Sequence, residues 1–349
     1  SMDGSESGVT YEIYVDGNPS GVTTAGTGAA LNVGPISTLA AGSTYTLTVN
    51  ATTGAGCSQL MNGSVNLTVN PVPAAPVPSN DGPKCAGEDI QLSTAAVAGA
   101  TYQWSGPNGF SSNQQNPLLS SVTTADAGVY QVTVTVSGCT SLPGSTTVVI
   151  NAIPATPSPN NDGPACEGDN VQLSTAAVAG ATYQWSGPNG FNSNLQNPIL
   201  NNVLVADAGV YSVTVTVSGC TSPAGNTTVV VNTVPLTPTA SNDGPKCEGE
   251  NIQLSTPAVP GASYLWSGPN GFSSNLQNPV LNNVVVADAG VYSVTVTVSG
   301  CTSLPGNTTV VINPLPDATI TPAGPFCDDD AAVNLTAATP GGTWSGPGI

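Results

Sequence analysis

Eight cysteines and 20 acidic residues are the groups in this 349-residue chain with most chemical potential. The cysteines are Cys57, Cys85, Cys139, Cys166, Cys220, Cys247, Cys301 and Cys327, and no two stand as C-x-x-C. A zinc knuckle or a dithiol redox site needs that close spacing. Regular cysteines without it point to cystines, and cystines point to an oxidising, extracellular setting. Histidine is absent, so a serine or cysteine nucleophile has no conventional base and a metal lacks its usual nitrogen ligand. Carboxylates do pair at Glu88 and Asp89, but the pair recurs as Glu167/Asp169 and Glu248/Glu250. An enzyme would rarely repeat its active site three times along one chain, and the expectation is a non-enzymatic protein that needs no cofactor.

Calcium is the one ion the carboxylates suggest. Asp81, Glu88 and Asp89 fall near a proline-rich junction, echoed by Asp162, Glu167 and Asp169, and by Asp243, Glu248 and Glu250. Hard oxygen ligands at such a boundary could clamp neighbouring modules. The competing reading is a set of solvated turn residues, since no EF-hand or related calcium motif is present.

These groups are set by a repeat. The run C-x-G-x-x-[IV]-Q-L-S-T, then Y-x-W-S-G-P-N-G-F, A-D-A-G-V-Y and V-T-V-T-V-S-G-C-T-S begins at Cys85, Cys166 and Cys247 and ends near Cys139, Cys220 and Cys301. Trp104, Trp185 and Trp266 step by 81 positions, as do Tyr130, Tyr211 and Tyr292, which marks a tandem array. Residues 71–151, 152–232 and 233–313 are expected to be the full repeats, each ending in Asn. Residues 1–70, with Cys57 alone, read as the later strands of a divergent β-domain. Residues 314–349 read as the early strands of a further one, with Cys327, Val333–Thr336 and Trp344. Short apolar–polar alternations such as Tyr45–Asn50 and Tyr130–Val136 predict strands, nothing predicts a helix, and the fold class is all-β. Prolines such as Pro71, Pro73, Pro154 and Pro157 predict short semi-rigid junctions, and hence an extended rod.

Only 6% of residues are charged, and the formal net charge is −18. That excludes the electrostatic footprint of a nucleic-acid binder and gives no attraction to an anionic membrane. No apolar run approaches the roughly 20 residues that span a bilayer. The start lacks the basic and apolar regions of a signal peptide, so the chain is expected to be a mature piece of something longer.

The order L-x-x-V, then Asp126-Ala-Gly128-Val-Tyr130, resembles the immunoglobulin pattern of strand E, corner and strand F. Trp104 resembles that family's core tryptophan, and the copies Asp207/Tyr211 and Asp288/Tyr292 repeat the corner. The resemblance implies a two-sheet sandwich in which the tyrosine hydroxyl bonds to corner backbone. As a whole the repeats are similar to tandem Ig-like domains of large secreted bacterial surface adhesins, including gliding-type proteins exported by the type IX pathway. Thr94 and Val132 stand where that family places its inter-sheet cystine. Equal spacing makes Cys85–Cys139, Cys166–Cys220 and Cys247–Cys301 the simplest pairing. Strict immunoglobulin topology would put those positions at opposite ends, so a bond between neighbouring domains, such as Cys85–Cys220, stays open.

The expected function is an extracellular structural or adhesive array: a stalk segment of a surface adhesin, or a filament subunit joined head to tail through its end domains. In the filament, Cys57 and Cys327 would bond between chains. Partners would be neighbouring copies or further domains of the same protein. The alternative is a glycan-binding module repeated for avidity, with Phe110 of the S-G-P-N-G-F turn, or the Thr133/Thr135 face, presented to a sugar.

Overall fold

The structure, a computed structural model, describes residues 4–37 and 39–319, with positions 336, 338, 341 and 343 beyond them. The expected Val333–Thr336 strand, Cys327 and Trp344 therefore lie outside the described residues, Thr336 excepted. The chain divides into two compact units, Ser1–Ala155 with Thr216–Ser222, and Thr156–Val215 with Pro223–Ile349. Regular structure among the described residues is all strand, apart from three-residue 3-10 turns. The architecture is a tandem array of immunoglobulin-like sandwiches.

In residues 1–70 a single sheet is built from β1 (Val9–Val15), β2 (Asn18–Ala25), β3 (Ser43–Thr53), β4 (Ser58–Leu60) and β5 (Val65–Val69). Its order is β2-β1-β3-β4, with β5 also on β3.

The first full repeat contains β6 (Ser79–Asn80), β7 (Lys84–Cys85), β8 (Ile90–Ser93), β9 (Thr101–Ser105), β10 (Ser111–Ser112), β11 (Leu118–Leu119), β12 (Gly128–Val136), β13 (Cys139–Thr140), β14 (Gly144–Val148) and β15 (Ile150–Asn151). One sheet runs β10-β9-β12-β13 with β14 on β12, and the other runs β11-β8-β6. The same ten strands recur with bounds shifted by 81 and by 162 positions.

Alternation explains the sandwich. Ile90 and Leu92 of β8 and Trp104 of β9 are fully buried, while the residues between them are not, so each sheet turns one apolar face inward. Tyr130 and Val132 of β12 join them in one core. β11 is only two residues long, and a 3-10 turn at Thr124–Asp126 follows it closely.

Between the sheets the chain crosses at Asn80-Asp81-Gly82-Pro83. The Asn80 amide donates to Thr146 Oγ1 (2.8 Å) and to the Thr147 carbonyl (3.0 Å) on β14. Asp81 accepts the backbone N–H of Gln91 on β8 (2.8 Å). Thus β6 pairs antiparallel with β8, whereas β7 pairs in parallel with β15, setting Cys85 opposite Asn151.

Candidate functional site: cystine joints between repeats

The β7–β15 pairing places Cys85 at the end of the repeat that carries its last residue, Asn151. Cys139 lies at the other end. It follows Val136 across the tight hairpin Ser137-Gly138, whose positive φ values of 47° and 84° suit a two-residue primed turn. The nine-residue β12 runs between those ends, a span of roughly 27 Å at about 3.3 Å per residue. A disulfide needs Cα atoms within about 7 Å. The equally spaced pairing Cys85–Cys139 is therefore corrected: Cys139 and Cys247 carry free thiols.

The bonds formed are Cys85–Cys220 and Cys166–Cys301, each with Cα atoms 5.6 Å apart. An early cysteine is thus joined to the late-hairpin cysteine of the following repeat. The first bond lies inside the first compact unit, which takes in the 216–222 hairpin, and the second lies inside the second unit.

Each half of a joint is positioned by neighbouring residues. On the early side, the carboxylate three positions after the cysteine accepts the cysteine's own N–H: Glu88 to Cys85 (2.5 Å), Asp169 to Cys166 (2.9 Å) and Glu250 to Cys247 (2.6 Å). This closes the turn after β7 and fixes the cysteine backbone. On the late side, the last Asn of one repeat donates to the hairpin serine of the next. The Asn151 amide reaches the Ser218 carbonyl (3.1 Å) and the Asn232 amide reaches the Ser299 carbonyl (3.1 Å). Asn70 of β5's end makes the same bond to Ser137 (3.0 Å). These Asn and Ser residues were not among the expected site residues. Their signal was visible: each repeat ends in Asn, and each late hairpin reads V-S-G-C.

The expected calcium ligands are not gathered. Asp81 and Asp243 sit on Gln91 and Gln253 amides and on Lys84 (3.3 Å) and Lys246 (3.4 Å); Asp162 sits on the Gln172 amide, and Asp89 on that of Ser121. Glu167 and Glu248 present their backbone N–H groups to Asn232 and Asn313. Among the described residues no three His, Cys, Asp or Glu side chains group to hold a metal ion. The carboxylates of Asp81, Glu88, Asp89, Asp162, Asp169, Asp243 and Glu250 each accept a backbone N–H.

The S-G-P-N-G-F turn is tied to the tyrosine corner. The Tyr130 hydroxyl donates to the Asp126 carbonyl (2.9 Å), and the same bond recurs at Tyr211 (2.9 Å) and Tyr292 (3.0 Å). Asn108 donates to Asp126 Oδ1 (2.8 Å), and Phe110 packs edge-on to Tyr130 at 5.3 Å. Trp104, Trp185 and Trp266 fill the cores, each indole N–H donating to a loop carbonyl, as Trp104 does to Gln115 (3.2 Å). Thr94 and Val132 are both buried, and the Thr94 hydroxyl has no partner.

No protein-family model and no curated protein matches the chain. Among solved structures, a calcium-stabilised adhesin with which an Antarctic bacterium binds ice is 18% identical, covering 88% of this chain and 91% of that one (TM-score 0.37). Extracellular domains 3–5 of Drosophila OTK are 20% identical over 66% of this chain and 93% of that one (TM-score 0.29). The immunoglobulin domains 1–5 of Sidekick-1 are 13% identical over 88% of this chain and 74% of that one (TM-score 0.28).

Proposed function

We propose that this chain is an extracellular load-bearing array, of the kind that forms the stalk of a surface adhesin or the body of a filament. Its modules are residues 1–70, 71–151, 152–232, 233–313 and 314–349. The observation that carries the reading is the pair of cystines, each bridging one repeat to the next and overlapping the other in sequence. Cystines of this kind suit an oxidising compartment. Among the described residues no helix is long and apolar enough to cross a membrane.

Overlap has a mechanical consequence. Cys85 and Cys301 are 216 positions apart (301−85), yet force passing through both bonds crosses only the 54 positions between Cys166 and Cys220 (220−166). At about 3.5 Å per residue, the fully unfolded oxidised segment reaches only about 190 Å, against about 760 Å when reduced. Single-molecule pulling of the full chain, with and without reductant, measures this directly. Equal contour lengths in the two conditions would reject the load-bearing reading. Tight binding of the oxidised chain on a glycan array would support the recognition module instead.

A further inference from the structure

Asn-Gly occurs four times in the chain, at Asn62, Asn108, Asn189 and Asn270, and the last three occupy one place in the three full repeats. The S-G-P-N-G-F turn calls for the pair. Asn108, Asn189 and Asn270 take φ values of 54°, 53° and 52°, and the glycines after them take 72°, 74° and 72°. Asparagine and glycine enter this left-handed region at least cost. The same pair is chemically fragile. Glycine has no side chain to keep its backbone nitrogen away from the neighbouring carboxamide, and asparagine is thermolabile. All three asparagines are exposed to water. Turn geometry therefore installs a reactive step in every full repeat.

One carboxylate holds each of these steps. The Asn108 amide donates to Asp126 Oδ1 at 2.8 Å, Asn189 to Asp207 at 2.7 Å, and Asn270 to Asp288 at 2.7 Å. The other carboxylate oxygen accepts a backbone N–H, that of Thr123 (2.8 Å), Leu204 (2.8 Å) or Val285 (2.9 Å). The carboxylate thus stands in one orientation, with Oδ1 on the amide nitrogen that deamidation would expel. Ring closure needs the carboxamide to turn until the glycine nitrogen reaches Cγ, and the hydrogen bond to Oδ1 restrains that rotation. It also needs negative charge to develop on the glycine nitrogen and then on the carboxamide oxygen, and a neighbouring carboxylate opposes both.

We propose that Asn108, Asn189 and Asn270 are latent sites of spontaneous deamidation, and that Asp126, Asp207 and Asp288 hold them unreacted. In the reaction, hydroxide takes the Gly109 N–H proton and the nitrogen attacks Asn108 Cγ. The bond from Cγ to Nδ2 breaks, and Nδ2 leaves as ammonia with a proton from water. Water opens the resulting succinimide at either carbonyl, leaving aspartate or isoaspartate at position 108. The sum is one amide and one water turned into one acid and one ammonia. Conversion also removes the restraint: the new carboxylate has no N–H to offer Asp126 and repels it, so the turn comes away from the tyrosine corner.

The test keeps the full oxidised chain in warm, mildly alkaline buffer and follows each asparagine by peptide mass spectrometry. In the unchanged chain the three sites are expected to react alike, and more slowly than the same residues after reduction and unfolding. Asp126→Ala is expected to speed Asn108 about tenfold, the factor that loss of one charge-assisted hydrogen bond gives, while Asn189 and Asn270 in the same molecules keep their rates. Asp126→Asn keeps an oxygen for the Thr123 N–H but not the charge, and is expected to speed Asn108 to a smaller extent. It decides the matter if hydrogen exchange in β12 peptides shows the alanine variant to be unfolded. Tyr130→Phe removes the hydroxyl bond to the Asp126 carbonyl and leaves the carboxylate on Asn108, so the Asn108 rate is expected to hold. Equal rates in the folded and unfolded chain, or an Asn108 rate unchanged in both Asp126 variants, would overturn the inference. Acceleration by Tyr130→Phe as large as by Asp126→Ala would overturn it too, since rigidity of the corner would then be the protection.

Discussion

At the scale of single residues, each repeat buries one hydroxyl that nothing answers. The Thr94 hydroxyl is buried without a partner, as are those of Thr175 and Thr256. A buried hydroxyl that gives up water and gains no hydrogen bond is a cost. Thr94→Val is therefore expected to stabilise the first repeat by about 1 kcal/mol. Hydrogen-exchange mass spectrometry resolves it by slower exchange in β8 peptides, and faster exchange would show a hydrogen bond had been removed. The carboxylates set the acid limit. The backbone N–H of Thr123, with Asn108, holds the Asp126 carboxyl below its usual range, and those of Leu204, with Asn189, do so for Asp207. Gln91 and Gln253 amides, helped by Lys84 and Lys246, do the same for Asp81 and Asp243. A folded-state pKa below the unfolded value of about 3.9 gives stability that is present above that pH and lost as pH falls through the folded value. Burial and the neighbouring aspartates raise the Tyr130, Tyr211 and Tyr292 hydroxyls, whose contribution is lost only above about pH 10. With no histidine, the urea midpoint is expected to stay flat between about pH 5 and 8 and to fall below about pH 4. A midpoint that moves between pH 5 and 8 would contradict this assignment.

At the scale of elements, the S-G-P-N-G-F turn and the tyrosine corner act as one. Asn108 and Gly109 take positive φ values of 54° and 72°, which brings Asn108 to Asp126. Gly106 lies flat against the Tyr130 ring, and a Cβ there would stand 2.4 Å from the ring carbon Cδ1. Gly106→Ala must therefore push Tyr130 away from the Asp126 carbonyl. A cost of about 1–3 kcal/mol is expected, as for other overpacked cores, with faster exchange confined to the corner peptides. An unchanged corner would mean that the ring can yield.

At the scale of the whole molecule, overlap makes the two cystines interdependent. In the chain-entropy picture a loop of 135 residues, closed by either bond, is worth about 5 kcal/mol. Because the 166–220 segment belongs to both loops, the two contributions do not add. The larger effect is on extension, where the 54-residue path replaces the 216-residue one, and the pulling experiment reads that difference. At the junctions stand the two cystines and the Asn–Ser hydrogen bonds, which act together on the same segment.

Period, strand alternation and corner motif were legible in the sequence alone, because they arise from local patterns: Ile90/Leu92 against Gln91, Asp126-Ala-Gly128-Val-Tyr130, and Asn-Gly turns. Each needs only neighbours along the chain to take effect. The cystine pairing was not legible. A tandem array repeats every spacing, so 54 and 135 are equally regular, and only geometry separates them. The tertiary structure decided it by moving β7 from the β8 sheet to a parallel pairing with β15, which carries Cys85 to the end of the repeat opposite Cys139. The carboxylates near Cys85 misled for a related reason: clustered in sequence at a junction, they are spent in space on separate backbone amides.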